Sequence, residues 1–447
     1  MAQRPFSVDD FLQLEEPTIR VPMHLSPDGR WLALSVQRKR REVGLGGQDG
    51  YRPDGVPAEA GSSRVLVVDT GTGATVEPFP QESTSWGAQW SPDGRYLTAY
   101  VRSAGSPCLG IWKPESGAHV LLRQVPVRPF FGFEVPRWTP DSQQVVLKLA
   151  RARAPERAQR VEDTPTQPPV ARVRVFTSDP DPGAPPVPQA SVWGAGTDLG
   201  VVHVETGEVR LLAEDWTLRG WEIAPDGQSI AVMRYDDTTP PQQRSQFDLV
   251  LLPLAGGAAR TLARAIPHSY GISFSWSPDS RHIAFISQPS GRGNRVFVAP
   301  ADGATSPIEL STGEDLALRL AEYEAPRWSA DGARVYCLAN TGCWELAVDG
   351  SQRRLIRLES ADLEETGEGE RAASGGAPAG AWEVRAWVQR PSASTCWHTA
   401  EGALLLVVMH MRTKRTGLAS VDPRTGRGAL LAAWEKRPML SWSFGTE

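Results

Sequence analysis

Charged residues recur at matching places along the chain and could form either ion pairs or a polar binding surface. In three segments a glutamate and an arginine stand three residues apart, and the second of them directly precedes a short turn motif. The pairs are Glu134 with Arg137, Arg219 with Glu222, and Glu324 with Arg327, and Trp86 stands at the matching place of another copy. A charge that is even half-buried costs free energy unless it is paired. Two interpretations follow: the pairs neutralise each other, or together with Trp86 they line a binding funnel.

The sequence contains no recognisable motif for metal binding, for a serine nucleophile or for phosphate binding. The seven histidines show no HxH, HExxH or histidine–cysteine spacing of the kind that binds metals. A nucleophile elbow of the form G-x-S-x-G is absent, and the nearest sequence, Gly271-Ile-Ser273-Phe-Ser275, lacks the closing glycine. No glycine loop for a phosphate opens a helix. The sequence therefore predicts no catalytic residue, no cofactor and no metal ion.

The turn that follows each charged pair belongs to a repeat of the form W-S-P-D-G. Six clear copies begin at Leu25, Trp90, Trp138, Ile223, Trp276 and Trp328, and a degraded seventh copy reads His398-Thr-Ala-Glu401-Gly. Proline presets one turn dihedral angle, aspartate can accept hydrogen bonds from backbone amides just ahead of it, and glycine tolerates a positive φ. The leading aromatic residue is interpreted as a packing residue. The repeat is therefore a tight connection between two strands.

Strand patterns follow every turn. An apolar run such as WLALSV, YLTAYV or HIAFIS comes first, and a hairpin closed by glycine, such as VLVVDTGTG or VFVAPADG, comes next. Both series contain seven members. Each unit thus has one strand before the turn and three after it, which is the four-stranded blade of a β-propeller. We predict an all-β, seven-bladed β-propeller with a short N-terminal helix, in which the innermost strands carry the charged pairs. The sequence leaves open which terminal strand completes the seventh blade.

The spacing of the repeat also divides the chain. Residues 1–17 are predicted to be a leader in which Ser7 caps a short helix, residues 18–435 form the propeller, and residues 436–447 form a tail. The long intervals between turns carry insertions at residues 37–63, 151–196 and 359–381, whose basic, Pro-rich and Gly-rich compositions predict exposed loops.

Bulk properties exclude several classes of partner. The net charge of −5 gives no reason to expect binding to nucleic acid or to an anionic membrane surface. No apolar stretch is long enough to span a membrane, and the first residues form no signal peptide, so a cytoplasmic location is expected. Cys337 and Cys343 flank one hairpin turn and could face each other across it, but a reducing compartment argues against a disulfide.

The repeats resemble those of a known family. The segment FSVDDFLQLEEPTIRVPMHLSPDGRWLAL, the repeated WSPDG turn and the hairpins VETGEVRLL and FDLVLLPLAGG are similar to the N-terminal propeller of bacterial prolyl oligopeptidase-family serine peptidases, in the dipeptidyl and acylaminoacyl peptidase branch. The resemblance covers residues 6–432. TolB-like propellers and oligogalacturonate lyases, which also belong to the wider class with WD40-like PD40 repeats, carry the same turn.

The chain departs from that family in one respect. The resemblance implies a hydrolase domain after the propeller, but only about fifteen residues follow the last predicted strand, and no position matches the serine, aspartate or histidine of the family's catalytic triad. We therefore expect a non-catalytic propeller that binds a peptide or protein and could present a peptide to a separately encoded enzyme. A lyase acting on acidic sugars and a pure assembly scaffold are the alternatives, and fold alone does not decide among them.

Overall fold

A computed structural model describes most of the propeller and its seven blades. The described residues are 13, 15–18, 21–39, 62–103, 106–129, 134–150, 197–235, 246–267, 272–287, 294–311, 325–339, 342–357, 382–387, 403–410, 413 and 415–434. The chain divides into two compact units. The first comprises Met1–Trp138, Ser142–Leu218 and Asp237–Gln243, and the second comprises Thr139–Asp141, Arg219–Asp236 and Arg244–Glu447.

The first unit contains three blades. Blade 1 consists of β1 (Glu16–Pro17), β2 (His24–Leu25), β3 (Trp31–Gln37), β4 (Ser63–Asp69) and β5 (Thr75–Val76), blade 2 of β6 (Thr84–Trp90), β7 (Leu97–Arg102), β8 (Cys108–Lys113) and β9 (Ala118–Pro126), and blade 3 of β10 (Arg137–Trp138), β11 (Gln144–Leu149), β12 (Thr197–His203) and β13 (Val209–Trp216). In blade 1, β1 and β2 both pair with β3, so together they take the place of one inner strand.

The second unit contains the other four blades. Blade 4 consists of β14 (Leu218–Ile223), β15 (Ser229–Arg234), β16 (Gln246–Pro253) and β17 (Arg260–Pro267), blade 5 of β18 (Phe274–Trp276), β19 (His282–Ser287), β20 (Arg295–Pro300) and β21 (Ile308–Glu309), blade 6 of β22 (Arg327–Trp328), β23 (Arg334–Ala339), β24 (Gly342–Ala347) and β25 (Arg353–Arg357), and blade 7 of β26 (Trp382–Trp387), β27 (Leu404–His410), β28 (Thr416–Val421) and β29 (Gly428–Trp434).

The prediction of an all-β, seven-bladed β-propeller with four-stranded antiparallel blades is confirmed. All four strands of blade 7 come from the C-terminal part of the chain, whereas Glu16 and Pro17, at the end of the predicted leader, pair with β3 of blade 1. The predicted helix start at Ser7, the seventh turn around His398, most of the insertion at residues 37–63 and all of those at 151–196 and 359–381 lie outside the described residues.

The repeated turn owes its shape to a small hydrogen-bond network. In the blade 6 turn the Ser329 hydroxyl donates to Asp331 Oδ1 at 2.5 Å, and the same carboxylate oxygen accepts from the backbone N–H of Ala333 at 3.0 Å. The Ser329 oxygen in turn accepts from the backbone N–H of Arg334 at 3.0 Å. Blades 1, 2 and 5 repeat this pattern with their own serine and aspartate. The predicted role of the aspartate is thus confirmed, and the serine works with it.

Two turns carry serine in place of the final glycine. Ser142 and Ser280 adopt φ angles of 60° and 62°, a region that costs a residue with a side chain about 1 kcal/mol or more. Each hydroxyl oxygen accepts a hydrogen bond from the turn of the preceding blade, Ser142 from the Asp93 backbone N–H at 3.1 Å and Ser280 from the Asp226 backbone N–H at 2.9 Å. Both departures from the repeat therefore connect neighbouring blades.

The turn carboxylates make stability depend on pH. Hydrogen bonds from the Ser329 hydroxyl and then from the Ala333 N–H lower the pKa of Asp331 below its usual 3.8, and the pKa values of Asp28, Asp93 and Asp279 are lowered as well. A lowered folded-state pKa contributes stability above the unfolded-state value, and this contribution disappears as the pH falls through the folded-state value.

We therefore expect the melting temperature to fall between about pH 5 and pH 3, and to fall less steeply in Asp331→Asn, because asparagine still accepts hydrogen bonds but does not titrate there. Thermal unfolding at a series of pH values checks this. An Asp331→Asn variant with the same pH dependence as the parent would contradict it, and Asp302→Asn, on an exposed hairpin, is the matched control.

The two cysteines of blade 6 are placed on opposite faces of their sheet. Cys343 lies directly across from Leu338 in the ladder, so Cys337, one residue earlier, points to the other face. Both thiols are free and buried in different apolar clusters, and burial raises the pKa of each, that of Cys343 to about 12. The disulfide considered from the sequence does not form in this register.

Within the described part of the chain, no helix has the length and apolarity required to cross a lipid bilayer.

Candidate functional site

The candidate site is built on two positions that recur in blades 1 to 5. One lies on or just before the first strand, four residues before the turn's leading residue, and the other lies on the second strand, seven residues after the turn's acidic residue. In blades 1 to 5 these positions hold Val21 and Ser35, Trp86 and Tyr100, Glu134 and Lys148, Arg219 and Met233, and Ile272 and Ile286. We call them the inner positions. Blades 2 and 3 fill them with an aromatic pair and an ion pair, whereas blade 5 fills them with two isoleucines.

The ion pair of blade 3 is deeply buried. Lys148 Nζ lies 2.6 Å from Glu134 Oε1, and the side chains are 3% and 0% exposed. The sequence favoured an arginine partner for Glu134; the structure shows an ion pair with a lysine from β11 of the same blade. Lys148 was missed in the sequence analysis. The sequence did contain an indication of a buried charge there, because Lys148 is the only charged residue inside the apolar run VVLKL.

The aromatic pair of blade 2 stands beside this ion pair. Trp86 and Tyr100 face each other in the ladder between β6 and β7, with ring centroids 5.7 Å apart. Neither Trp86 Nε1 nor the Tyr100 hydroxyl has a hydrogen-bond partner among the described residues, although both atoms are buried. Burial raises the pKa of Tyr100 well above its usual value; the Glu134 carboxylate raises it further, and Arg137 acts in the opposite direction. Trp86, Glu134 and Arg137, predicted from separate segments, are thus brought together around Tyr100.

Arg128 adds a further cation to this group. The segment after β9 pairs briefly with β11: Val127 bridges to Leu149, and the Arg128 backbone N–H donates to the Lys148 carbonyl at 3.1 Å. Arg128 therefore lies directly across from Lys148, on the same side of the ladder. Its side chain is half-buried, and burial alone lowers its pKa. Among the described residues no carboxylate contacts its guanidinium group.

These six residues, Trp86, Tyr100, Arg128, Glu134, Arg137 and Lys148, are called the inner cluster. It contains three cations and one carboxylate, together with two buried neutral donors that have no protein acceptor in the described part of the chain. Arg128 and Arg137 are its half-buried members, and the other four are buried. An unpaired buried donor costs about 1–3 kcal/mol, so this arrangement favours a ligand that supplies acceptors.

The remaining predicted site residues lie in the second unit. Arg219 is buried on β14, with its guanidinium carbon 5.5 Å from the ring centre of Phe247. Glu222 and Arg327 are half-buried on β14 and β22. Glu324 lies outside the described residues. The assignment of all seven predicted residues to a ligand stays a prediction.

The backbone carbonyl of the residue just before the turn's leading residue accepts a hydrogen bond that the sequence did not reveal. The indole Nε1 of Trp138 donates to the Gln89 carbonyl at 3.0 Å, that of Trp276 to the Glu222 carbonyl at 3.1 Å, and that of Trp328 to the Ser275 carbonyl at 3.1 Å. In each case the tryptophan comes from the following blade. The turn aromatics were predicted only to pack, so the hydrogen bond between blades is a finding of the structure.

Metal-binding groups are sparse in the described region. No three His, Cys, Asp or Glu side chains there converge closely enough to hold a metal ion. His24 is buried, and its Nδ1 accepts the backbone N–H of Trp90 at 2.7 Å, which occupies that ring nitrogen in a contact between blades 1 and 2.

Comparison with known proteins places the chain among similar propellers. No family model matches it. A curated relative, the uncharacterized peptidase YuxL of Bacillus subtilis strain 168, is 26% identical over 211 residues, which are 43% of this chain and 30% of that protein. The alignment thus spans less than a third of the curated relative.

Three solved structures are similar to this chain at low sequence identity. Acylaminoacyl peptidase of Pyrococcus horikoshii is 12% identical with a TM-score of 0.47, over 98% of this chain and 55% of that one. Oligogalacturonate lyase of Vibrio parahaemolyticus is 13% identical with a TM-score of 0.44, over 78% and 81% of the two chains. TolB of Acinetobacter baumannii is 12% identical with a TM-score of 0.35, over 74% and 77%. The resemblance to this group of propellers is confirmed; the activities named belong to those proteins.

Proposed function

We propose that this chain is a non-catalytic propeller that binds a peptide or protein ligand at the inner cluster. The observation that carries the proposal is the contrast between blades. Blade 5 fills the inner positions with Ile272 and Ile286, so an apolar pair satisfies the fold there. Blades 2 and 3 instead retain a buried ion pair and two buried donors that have no acceptor among the described residues.

These polar groups cost the fold stability. Replacing a buried ion pair by well-packed apolar residues is often neutral or stabilising, and a buried hydroxyl without an acceptor carries its full desolvation penalty. A fold that needs neither group would gain from losing them. Their presence is explained if a ligand supplies the missing hydrogen-bond acceptors.

Two further parts of the proposal concern the partner and the location. The sequence relative named as a peptidase favours a peptide as the ligand, and a bound peptide could be presented to a separately encoded enzyme. A cytoplasmic location is part of the proposal because Cys108, Cys337 and Cys343 are free thiols, as is usual in a reducing compartment. Neither nucleic acid nor a membrane is proposed as a partner.

The test compares two tyrosine hydroxyls by affinity selection from a tetrapeptide library and by thermal unfolding. Tyr100→Phe removes a donor that has no acceptor among the described residues, so we expect peptide binding to weaken about tenfold while the melting temperature stays the same or rises. Tyr96→Phe is the matched control, because the Tyr96 hydroxyl donates to Glu205 Oε1 at 2.8 Å. This control should lower the melting temperature and leave binding intact.

Two results would contradict the proposal. The first is a parent protein that selects no peptide from the library, which would favour the scaffold alternative. The second is a Tyr100→Phe variant that binds peptides as tightly as the parent does.

A further inference from the structure

We infer that the inner cluster binds its ligand through a carboxylate group, and that Arg128 is the residue that receives it. This inference rests on the proposed function and specifies which end of a peptide the site would hold. It is carried by the pairing of Arg128 with Lys148, by the lack of a carboxylate at the Arg128 guanidinium among the described residues, and by the two buried donors.

The pairing places two cationic residues at opposite positions of one ladder. Arg128 and Lys148 follow the Val127–Leu149 bridge, and the Arg128 backbone N–H donates to the Lys148 carbonyl. Lys148 is compensated by Glu134 at 2.6 Å. Arg128 has no such carboxylate in the described part of the chain. A ligand anion at Arg128 would supply the missing partner.

The two buried donors determine that the ligand group must accept hydrogen bonds. Trp86 Nε1 can only donate a hydrogen bond, and the Tyr100 hydroxyl, protonated at all ordinary pH values because burial raises its pKa, can donate as well. Both require an acceptor oxygen. An ammonium group would bring no acceptor and would be repelled by Arg128. The amino terminus of a peptide is therefore disfavoured, and its carboxyl end is favoured.

The choice of a carboxylate over a phosphate follows from cost and geometry. The planar guanidinium of Arg128 can hold a carboxylate through two parallel hydrogen bonds. A doubly charged phosphate would lose more hydration energy on entering a site whose other members are mostly buried, and it would lie close to the Glu134 carboxylate. Arg128 and Arg137, the half-buried members, form the side from which the ligand would approach.

The experiment uses the full chain and one set of N-acetylated tetrapeptides prepared twice, as free acids and as carboxamides. We expect the parent to bind the free acids about tenfold or more tightly than the carboxamides, as measured by calorimetry. Arg128→Gln should abolish this preference without weakening carboxamide binding, and Arg128→Lys should restore part of it. Arg123→Gln is the matched control: Arg123 is exposed on β9 and donates to the Ser103 hydroxyl, so its loss should change neither value.

Further measurements distinguish a terminal carboxylate from a side-chain carboxylate. They also show whether the inference or the proposed function has failed. Equal binding of acids and carboxamides would overturn the inference and leave the proposed function standing. Carboxamides that bind only when they contain glutamate would support a side-chain carboxylate in place of the terminus. If no peptide binds, the proposed function fails; galacturonate binding that is lost in Arg128→Gln would then still support the carboxylate site. Inorganic phosphate that displaces the free acids at equal concentration would overturn the choice of a carboxylate.

Discussion

Breaking the buried ion pair of blade 3 should have the largest effect on stability of any single change considered for this protein. Glu134→Leu and Lys148→Met are each expected to lower the free energy of unfolding by about 3–5 kcal/mol, because each leaves one buried charge without its partner. The double variant should recover most of this loss and return to within about 1.5 kcal/mol of the parent, since a buried ion pair can often be replaced by apolar residues of similar size. Denaturant unfolding of the four proteins gives the coupling energy.

An exposed ion pair provides the comparison. Arg424 Nε lies 3.4 Å from Asp422 Oδ1, with the two side chains 84% and 32% exposed. Arg424→Met should therefore change the free energy of unfolding by less than about 1 kcal/mol. If the two single variants of the buried pair lost no more than this control, or if their losses simply added in the double variant, the pair would not be the coupled, desolvated unit that its geometry indicates.

The second large effect concerns the tryptophans that connect neighbouring blades. Trp328→Phe should lose about 1–3 kcal/mol more stability than Trp90→Phe. Both indoles are almost fully buried, so the two substitutions remove similar apolar volumes. Trp328 Nε1 donates to the Ser275 carbonyl at 3.1 Å, whereas Trp90 Nε1 has no partner among the described residues.

The difference between the two variants isolates the hydrogen bond. Trp328→Phe removes a hydrogen bond to a backbone carbonyl of blade 5, whereas Trp90→Phe removes a donor that has no acceptor in the described region. Paired denaturant unfolding curves measure the difference directly. Equal losses in both variants would show that the indole contributes through packing alone, as the sequence suggested, and not through the bond to the preceding blade.

Some residues of the inner cluster could be predicted from the sequence repeats and others could not. The periodic turns indicated that Trp86, Glu134 and Arg137 occupy inner strands, and the structure places them around Tyr100. Neither Lys148 nor Arg128 could be assigned in the same way. Lys148 lies inside an apolar strand, and Arg128 follows the last strand of blade 2, where no repeat marks its position.

The sequence by itself determined the class of the fold and the number of its blades. Proline, aspartate and glycine act through the dihedral angles and hydrogen bonds of four or five consecutive residues, and strand periodicity extends over about six residues. Both signals are local and can therefore be recognised in the amino-acid sequence. Seven repeats of the same local signal leave few architectures other than a propeller. The hydrogen bond from Ser329 to Asp331, two residues away, is of this local kind.

Only the tertiary structure decided which side chains meet. Glu134 pairs with Lys148, Ser280 bonds to the turn of Asp226, and Cys337 and Cys343 point to opposite faces of one sheet. Each of these outcomes depends on strand register or on contact between blades, which join residues that are distant in the chain. A shift of one residue in register would reverse the faces, and the composition of the strands alone does not specify it.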